Sequence, residues 1–216
     1  MATWSRVVMS SVGKKGVMAA SGIMLSFFLL VHALGNSSTF LGREAFNSYA
    51  RHLHSLGWLI PLFEVGLVVV FLTHIVLGCM TWWQNKRARP HNYEVYRSSG
   101  GRSAGSKTMP YTGLIILAFL LVHLQNFHFI DHSREISAIV KGVLVQPRYV
   151  IFYSIAMLAL ALHMSHGFWS MFQSLGINHP KYNLILHRGT LFLCMVIAAV
   201  FVLIPVLGLL WPNFLL

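Results

Sequence analysis

The chain has 216 residues, of which 56% are hydrophobic and only 10% charged, against roughly 25% charged in an average soluble domain. Several apolar runs reach the ~20 residues that cross a hydrocarbon core about 30 Å thick, which excludes a soluble globular class. The formal charge of +11 raises nucleic acid or anionic lipid as partners, and the placement of the charges decides between them.

Five transmembrane spans are predicted in chain order, at about 16–34, 58–83, 109–129, 148–175 and 190–210. They make an all-α, single-domain integral membrane bundle over residues 1–216, with the first four spans as its four-helix core. Lys14 and Lys15 precede the first run. That run continues past signal-peptide length without a small-residue cleavage site, so it reads as a retained span. Eleven Lys and Arg residues fall on one side, among them Lys14, Lys15, Lys86, Arg87 and Arg188, and five on the other, Arg43, Arg51, Arg134, Lys141 and Arg148. The positive-inside rule then predicts a cytoplasmic N-terminus and an outer C-terminus. The basic face reads as topology and as a docking face for an acidic partner or lipid headgroups, not as a nucleic-acid site.

The Gly/Ser-rich segment 98–106 reads as a flexible linker on the inner side. Two outer loops look helical. Phe46, Tyr49, Ala50, Leu53 and Leu56 recur at three-to-four spacing, as do Ile136, Ile139, Val140 and Val143, so both loops should lie as caps over the outer end. Cys79 and Cys194 lack CxxC spacing. They cannot build an Fe–S or zinc site and read as small buried hydrophobes.

Twelve histidines are present, and a polar side chain at membrane depth must face the interior and find a partner. His32, His74, His123 and His163 stand one on each of the first four spans. His32 and His123 lie about 14 residues into outward-running spans, roughly 21 Å from the inner side at ~1.5 Å per residue. His74 and His163 lie about 15 residues into inward-running spans, so they fall nearer the inner side. The prediction is two pairs, His32/His123 and His74/His163, at levels very roughly 12–15 Å apart, each holding the iron of one haem. Packing histidines are a competing reading. A histidine metal path is another, although it normally wants carboxylates and the spans hold only Glu64. Gly35, Gly78 and Gly167 share a face with three of the ligands and serve either haem clearance or close helix packing.

The segment 163–182, HMSHGFWSMFQSLGINHPKY, and the opening run SSVGKKGVMAASGIMLSFFLLVHALGN resemble the membrane cytochrome b subunit of succinate:quinone oxidoreductases, in its single-chain, five-helix, di-haem class. The resemblance implies a membrane anchor of a succinate dehydrogenase or fumarate reductase, serving the tricarboxylic acid cycle or anaerobic respiration from a bacterial cytoplasmic membrane. It implies two haem b groups, menaquinone or another quinone as bound substrate, and flavoprotein (FAD) and iron–sulfur partner subunits on the cytoplasmic side. It further implies His74/His163 for the proximal haem and His32/His123 for the distal one. The cytochrome b of a hydrogenase or formate dehydrogenase is the alternative, against which the HGFWS–NHPKY run argues.

Depth suggests further roles around the haems. His166 is a candidate propionate donor, structural residue or alternative ligand. Ser21, Lys14 or Lys15 are candidates to meet inner propionates, and Arg148 the outer ones. His128 and His132 read as solvated at the outer boundary. Glu64, the only membrane carboxylate, is the candidate catalytic residue, handling protons at an outer quinone site; the alternative is a carboxylate bonded to Arg51 or an outer-loop histidine. Some relatives carry a glutamate two residues before the fourth ligand to help protons across; Ala161 stands there in this chain.

Overall fold

The structure is a computed structural model that describes residues 6, 10–88, 104–131 and 133–211. Every regular element among the described residues is helical. The helices are α1 (Ser11–Ser37), α2 (Arg43–His54), α3 (Leu59–Arg87), α4 (Ala104–Phe127), α5 (Ile136–Leu144), α6 (Pro147–Ser174) and α7 (Pro180–Leu210), with a 3-10 turn at Ser38–Leu41. Five of them, α1, α3, α4, α6 and α7, are long and apolar enough to cross a membrane. Four of them, α1, α3, α4 and α7, run several residues beyond the predicted span at one or both ends, since a helix continues into the polar flank until a cap stops it. Thus Ala104, Gly105 and Ser106, expected in a linker, begin α4 instead, while residues 98–103 and His132 lie outside the described residues.

Local chemistry accounts for the ends. The Ser10 side chain accepts from Gly13 N at 3.0 Å and caps α1. Pro147 and Pro180 open α6 and α7, where a missing N–H leaves no intrahelical bond unmade. The turn between those helices explains its own sequence. Gly176 takes φ +73°, Asn178 donates to Gln173 at 2.7 Å, and Asn183 donates to Asn178 at 2.6 Å. The Asn183 side chain accepts from His179 N at 2.9 Å, and His179 Nδ1 accepts from Lys181 N at 3.2 Å. The FQSLGINHPKYN run is therefore a side-chain-locked reversal.

In the bundle, α1 packs on α3, α6 and α7, and α6 packs on α4 and α7, whereas α3 and α4 meet only sparsely. The core lies where α1, α6 and α7 converge, around Ala33, Ala156, Met157, Leu160, Met164, Cys194 and Ile197. Cys194 is buried there, but Cys79 is exposed, contrary to expectation. Its helix α3 leans mainly on α1, and Leu77 is its one buried residue among the described residues.

The two loop helices α2 and α5 pack together at one end of the bundle. Phe46 of α2 is buried with Val140, Leu144 and Ile204, and the buried Asn47 side chain accepts from Ser137 N at 3.1 Å. Gly35 makes room for this cap, because any Cβ there would meet the Tyr49 ring. At the rim Arg43 donates to Glu135 at 2.6 Å, and Arg51 pairs with Glu44 at 2.5 Å.

Phe46→Ala should destabilise the α2–α5 cap by about 3 kcal/mol, the usual scale for emptying a buried phenylalanine site. Amide exchange or thermal unfolding in detergent measures it. The hydrogen bonds from Arg43, aided by its charge, hold the Glu135 carboxyl below its ordinary value of 4.5. A depressed carboxylate contributes stability above its ordinary value and loses it as pH falls through the folded value. Exchange in α2 and α5 should therefore quicken as pH drops below 4.5, and Glu135→Gln should remove that acid step.

Candidate redox site at the bundle centre

The four helices form a ring in the order α1, α3, α4, α6, closed at every side except the sparse α3/α4 seam. The histidines meet across its diagonals. His32 on α1 faces His123 on α4 with ring centres 6.0 Å apart. His74 on α3 faces His163 on α6 at 6.4 Å. Two imidazoles on opposite sides of one metal, with bonds of about 2.0–2.1 Å and ring centres about 1.2 Å farther out, have centres about 6.4–6.6 Å apart. The His74/His163 pair at 6.4 Å falls in that span, and the His32/His123 pair at 6.0 Å stands just short of it.

The donor sets come in twos. Among the described residues no group of three or more His, Cys, Asp and Glu gathers to hold a metal ion. A bare zinc or copper ion wants three or four protein ligands, whereas a haem brings its equatorial nitrogens and asks the protein only for axial ones. The chemistry of the pairs fits haem.

The His74/His163 pair is braced by hydroxyls. Ser21 Oγ lies 3.0 Å from His74 Nδ1, and Thr112 Oγ1 lies 3.0 Å from His163 Nδ1. Each is followed by a glycine, Gly22 or Gly113, whose added Cβ would stand 3.6 Å from Cε1 of the same imidazole. Ser21 is thus occupied by His74, where depth alone suggested a propionate. Along α1, Ser21 and His32 are eleven residues apart. At ~1.5 Å per residue the two levels are roughly 16 Å apart.

The other pair is wrapped in rings. Phe28 stacks on His32 at 5.3 Å and Phe119 lies 5.3 Å from His123. Phe201 reaches His32 from α7 at 5.6 Å, and Tyr153, which accepts from Asn126 at 3.1 Å, stands 6.2 Å from His123. His123 Nδ1 is buried with no hydrogen-bond partner among the described residues.

The site hides an internal repeat. Residues 21–32, SGIMLSFFLLVH, match 112–123, TGLIILAFLLVH, at an offset of 91; residues 74–84, HIVLGCMTWWQ, match 163–173, HMSHGFWSMFQ, at an offset of 89. Each half supplies an α1-like and an α3-like helix, so the two members of each histidine pair are equivalent. Ser21 and Thr112 as ligand braces, missed from their types alone, follow from this repeat.

The remaining candidates lie farther out. Glu64, near the start of α3 and about half exposed, stands 3.6 Å from His128 Nδ1 across the α3/α4 seam. Arg51 pairs with Glu44 and Glu135 rather than Glu64. Arg148 is exposed, donating to Gln146 at 2.7 Å and lying over the Tyr149 ring. Lys14 is buried and donates to Gln84 at 2.5 Å. His166 sits against the start of α4, where a Cβ on Gly105 would come within 2.7 Å of its own Cβ and 3.3 Å of the Leu162 carbonyl. Gly78 faces the end of Met18, and Gly167 has open space beside it.

The chain is similar to the succinate dehydrogenase cytochrome b558 subunit of Bacillus subtilis (strain 168), 26% identical over 160 residues that cover 72% of this chain and 75% of that protein. This likeness supports the resemblance to succinate dehydrogenase cytochrome b anchors. No family model matches the chain, and no solved structure matches it.

Gly105→Ala should push α4 off α6 beside Thr112 and His163, because the new methyl meets backbone on one side. Lowered thermal stability is expected, and a midpoint equal to that of the unsubstituted protein would contradict the close approach.

Proposed function

We propose that the chain is the membrane anchor and quinone-reactive di-haem cytochrome b subunit of a succinate dehydrogenase or fumarate reductase. It carries electrons between an iron–sulfur partner and a membrane quinone such as menaquinone. The observation that carries this reading is the pair of cross-diagonal histidine contacts, at 6.0 and 6.4 Å, between helices that otherwise barely touch. The name of the similar Bacillus subtilis protein, a succinate dehydrogenase cytochrome b558 subunit, supports the same reading. It lends nothing to a hydrogenase or formate dehydrogenase cytochrome.

A bound haem supplies a one-electron Fe(III)/Fe(II) couple. The chain does the rest. His32 and His123 would hold one haem, and His74 and His163 the other. Apolar and aromatic walls keep water from the rings and lower the local dielectric. The basic inner end of α3 stacks Lys86 over Trp82 at 5.2 Å and Arg87 over Trp83 at 5.7 Å. In the N-in orientation we propose, that end faces the cytoplasm, where the flavoprotein and iron–sulfur subunits dock.

Quinone reduction takes up protons with electrons, and quinol oxidation releases them. Glu64 and His128 stand at the opposite end of the α3/α4 seam, the one side of the ring not closed by packing. Glu64 would exchange a proton with the quinone oxygen and His128 would pass it to water, the placement that general acid–base transfer requires. Arg148 and His166 remain candidate propionate partners.

A reduced-minus-oxidised spectrum of the purified chain should show a b-type α-band with two haems per chain. Absence of the band, or one haem per chain, rejects the assignment. His32→Ala should remove one haem signal and spare the other. Glu64→Gln should slow quinone turnover at least tenfold, about 1.4 kcal/mol of barrier, with both haems retained; unchanged turnover removes Glu64 from the site.

A further inference from the structure

We propose that Ser21 and Thr112 are a matched pair of positioning residues that fix the protonation of the inner histidines and tune the haem they hold. The inference rests on the di-haem reading above and extends it to residues that touch no haem iron.

The argument starts from proton counting. A hydroxyl has one proton to give and two lone pairs. The Ser21 hydroxyl donates to the Met18 carbonyl at 3.0 Å, and the Thr112 hydroxyl donates to the Thr108 and Met109 carbonyls at 3.1 Å. With that proton committed, each hydroxyl oxygen accepts from the imidazole 3.0 Å away. Nδ1 of His74 and of His163 therefore carries the hydrogen, and Nε2 keeps the lone pair that a metal needs.

The brace does more than select a tautomer. A hydrogen bond from Nδ1–H raises the basicity of the other nitrogen and fixes the ring plane. A more basic axial ligand favours the ferric state, so the hydroxyls hold the inner potential down. Both hydroxyls are buried, each 5% exposed, so water does not stand in for them. Ser21 and Thr112 are equivalents in the internal repeat, as are the glycines that follow them, Gly22 and Gly113. His123, at the other level, has a buried Nδ1 with no such acceptor among the described residues.

The test uses the full-length haem-loaded chain in membranes, with Ser21→Ala, Thr112→Val and their combination. Redox titration followed optically and by electron paramagnetic resonance reads each haem separately. In the double variant the inner haem should become easier to reduce by about tenfold in its equilibrium constant, about 59 mV for a one-electron couple, while the other keeps its potential. The single variants should fall between. Ser21→Thr and Thr112→Ser, which keep the acceptor, should restore the original value. Should the alanine or valine variants lose haem, Ser21→Cys keeps the shape with a weaker acceptor and should move the same potential upward.

Two retained haems with unmoved potentials, or an equal shift in both, overturn the inference and leave the di-haem reading standing. A chain that binds no b-type haem before any substitution overturns that reading itself.

Discussion

An imidazole in the middle of a bilayer has nowhere to hide its nitrogens, and this constraint organises the bundle. Burying an unpaired polar group costs on the order of several kcal/mol in hydrocarbon. Each of the four deep histidines is therefore turned inward across a diagonal of the ring. The diagonals α1–α4 and α3–α6 have little backbone packing of their own. They are held open at imidazole–imidazole distance by the sides α1–α3, α4–α6 and α1–α6, and α7 buttresses α1 and α6 from behind.

Periodicity and depth made most of this architecture legible. Apolar runs gave the five long helices, because in lipid a helix must satisfy its whole backbone internally. Three-to-four spacing gave α2 and α5, because Phe46, Ile139 and Val140 need one buried face. Counting residues from each end grouped the histidines by height, since rise per residue is fixed. What stayed hidden depends on neighbours distant in sequence. Nothing near Ser21 announces that His74 will lie against it. Cys79 reads as buried by its apolar company, yet α3 has only one packed side. Gly35 reads as a ligand-face glycine and instead accommodates Tyr49. Phe201 belongs to the fifth helix and still reaches His32. The repeat between the two halves was in plain sight in the letters, at offsets that the differing loops shift from 91 to 89.

The open seam between α3 and α4 is the structural counterpart of that repeat. Two equivalent helix pairs joined face to face create two interfaces, α1 with α6 and α3 with α4. Only the first is covered by a further helix, α7. The second stays loosely packed and carries Glu64 and His128 at one end. A closed ring would seal its centre from a membrane-dissolved substrate; a ring with one loose side gives such a substrate an approach beside a carboxylate. The asymmetry that α7 imposes therefore decides which face of the ring stays uncovered.

Symmetry also explains why tuning has to come from around the ligands. The repeat relates His32 to His123 and His74 to His163, so it makes the two ligands of each pair alike. It does not relate one pair to the other. The two levels are free to differ, and they do: a hydroxyl and a glycine from each half stand beside the His74 and His163 imidazoles, while phenylalanines from each half, Phe28 and Phe119, press on His32 and His123. Directed electron flow needs unequal sites, and identical histidine pairs cannot supply the inequality themselves. The repeat supplies matched histidines, and the residues four and eleven positions before His32 and His123 supply the difference between levels. A change in those positions alters one level at a time, which is the freedom an electron path across a membrane requires.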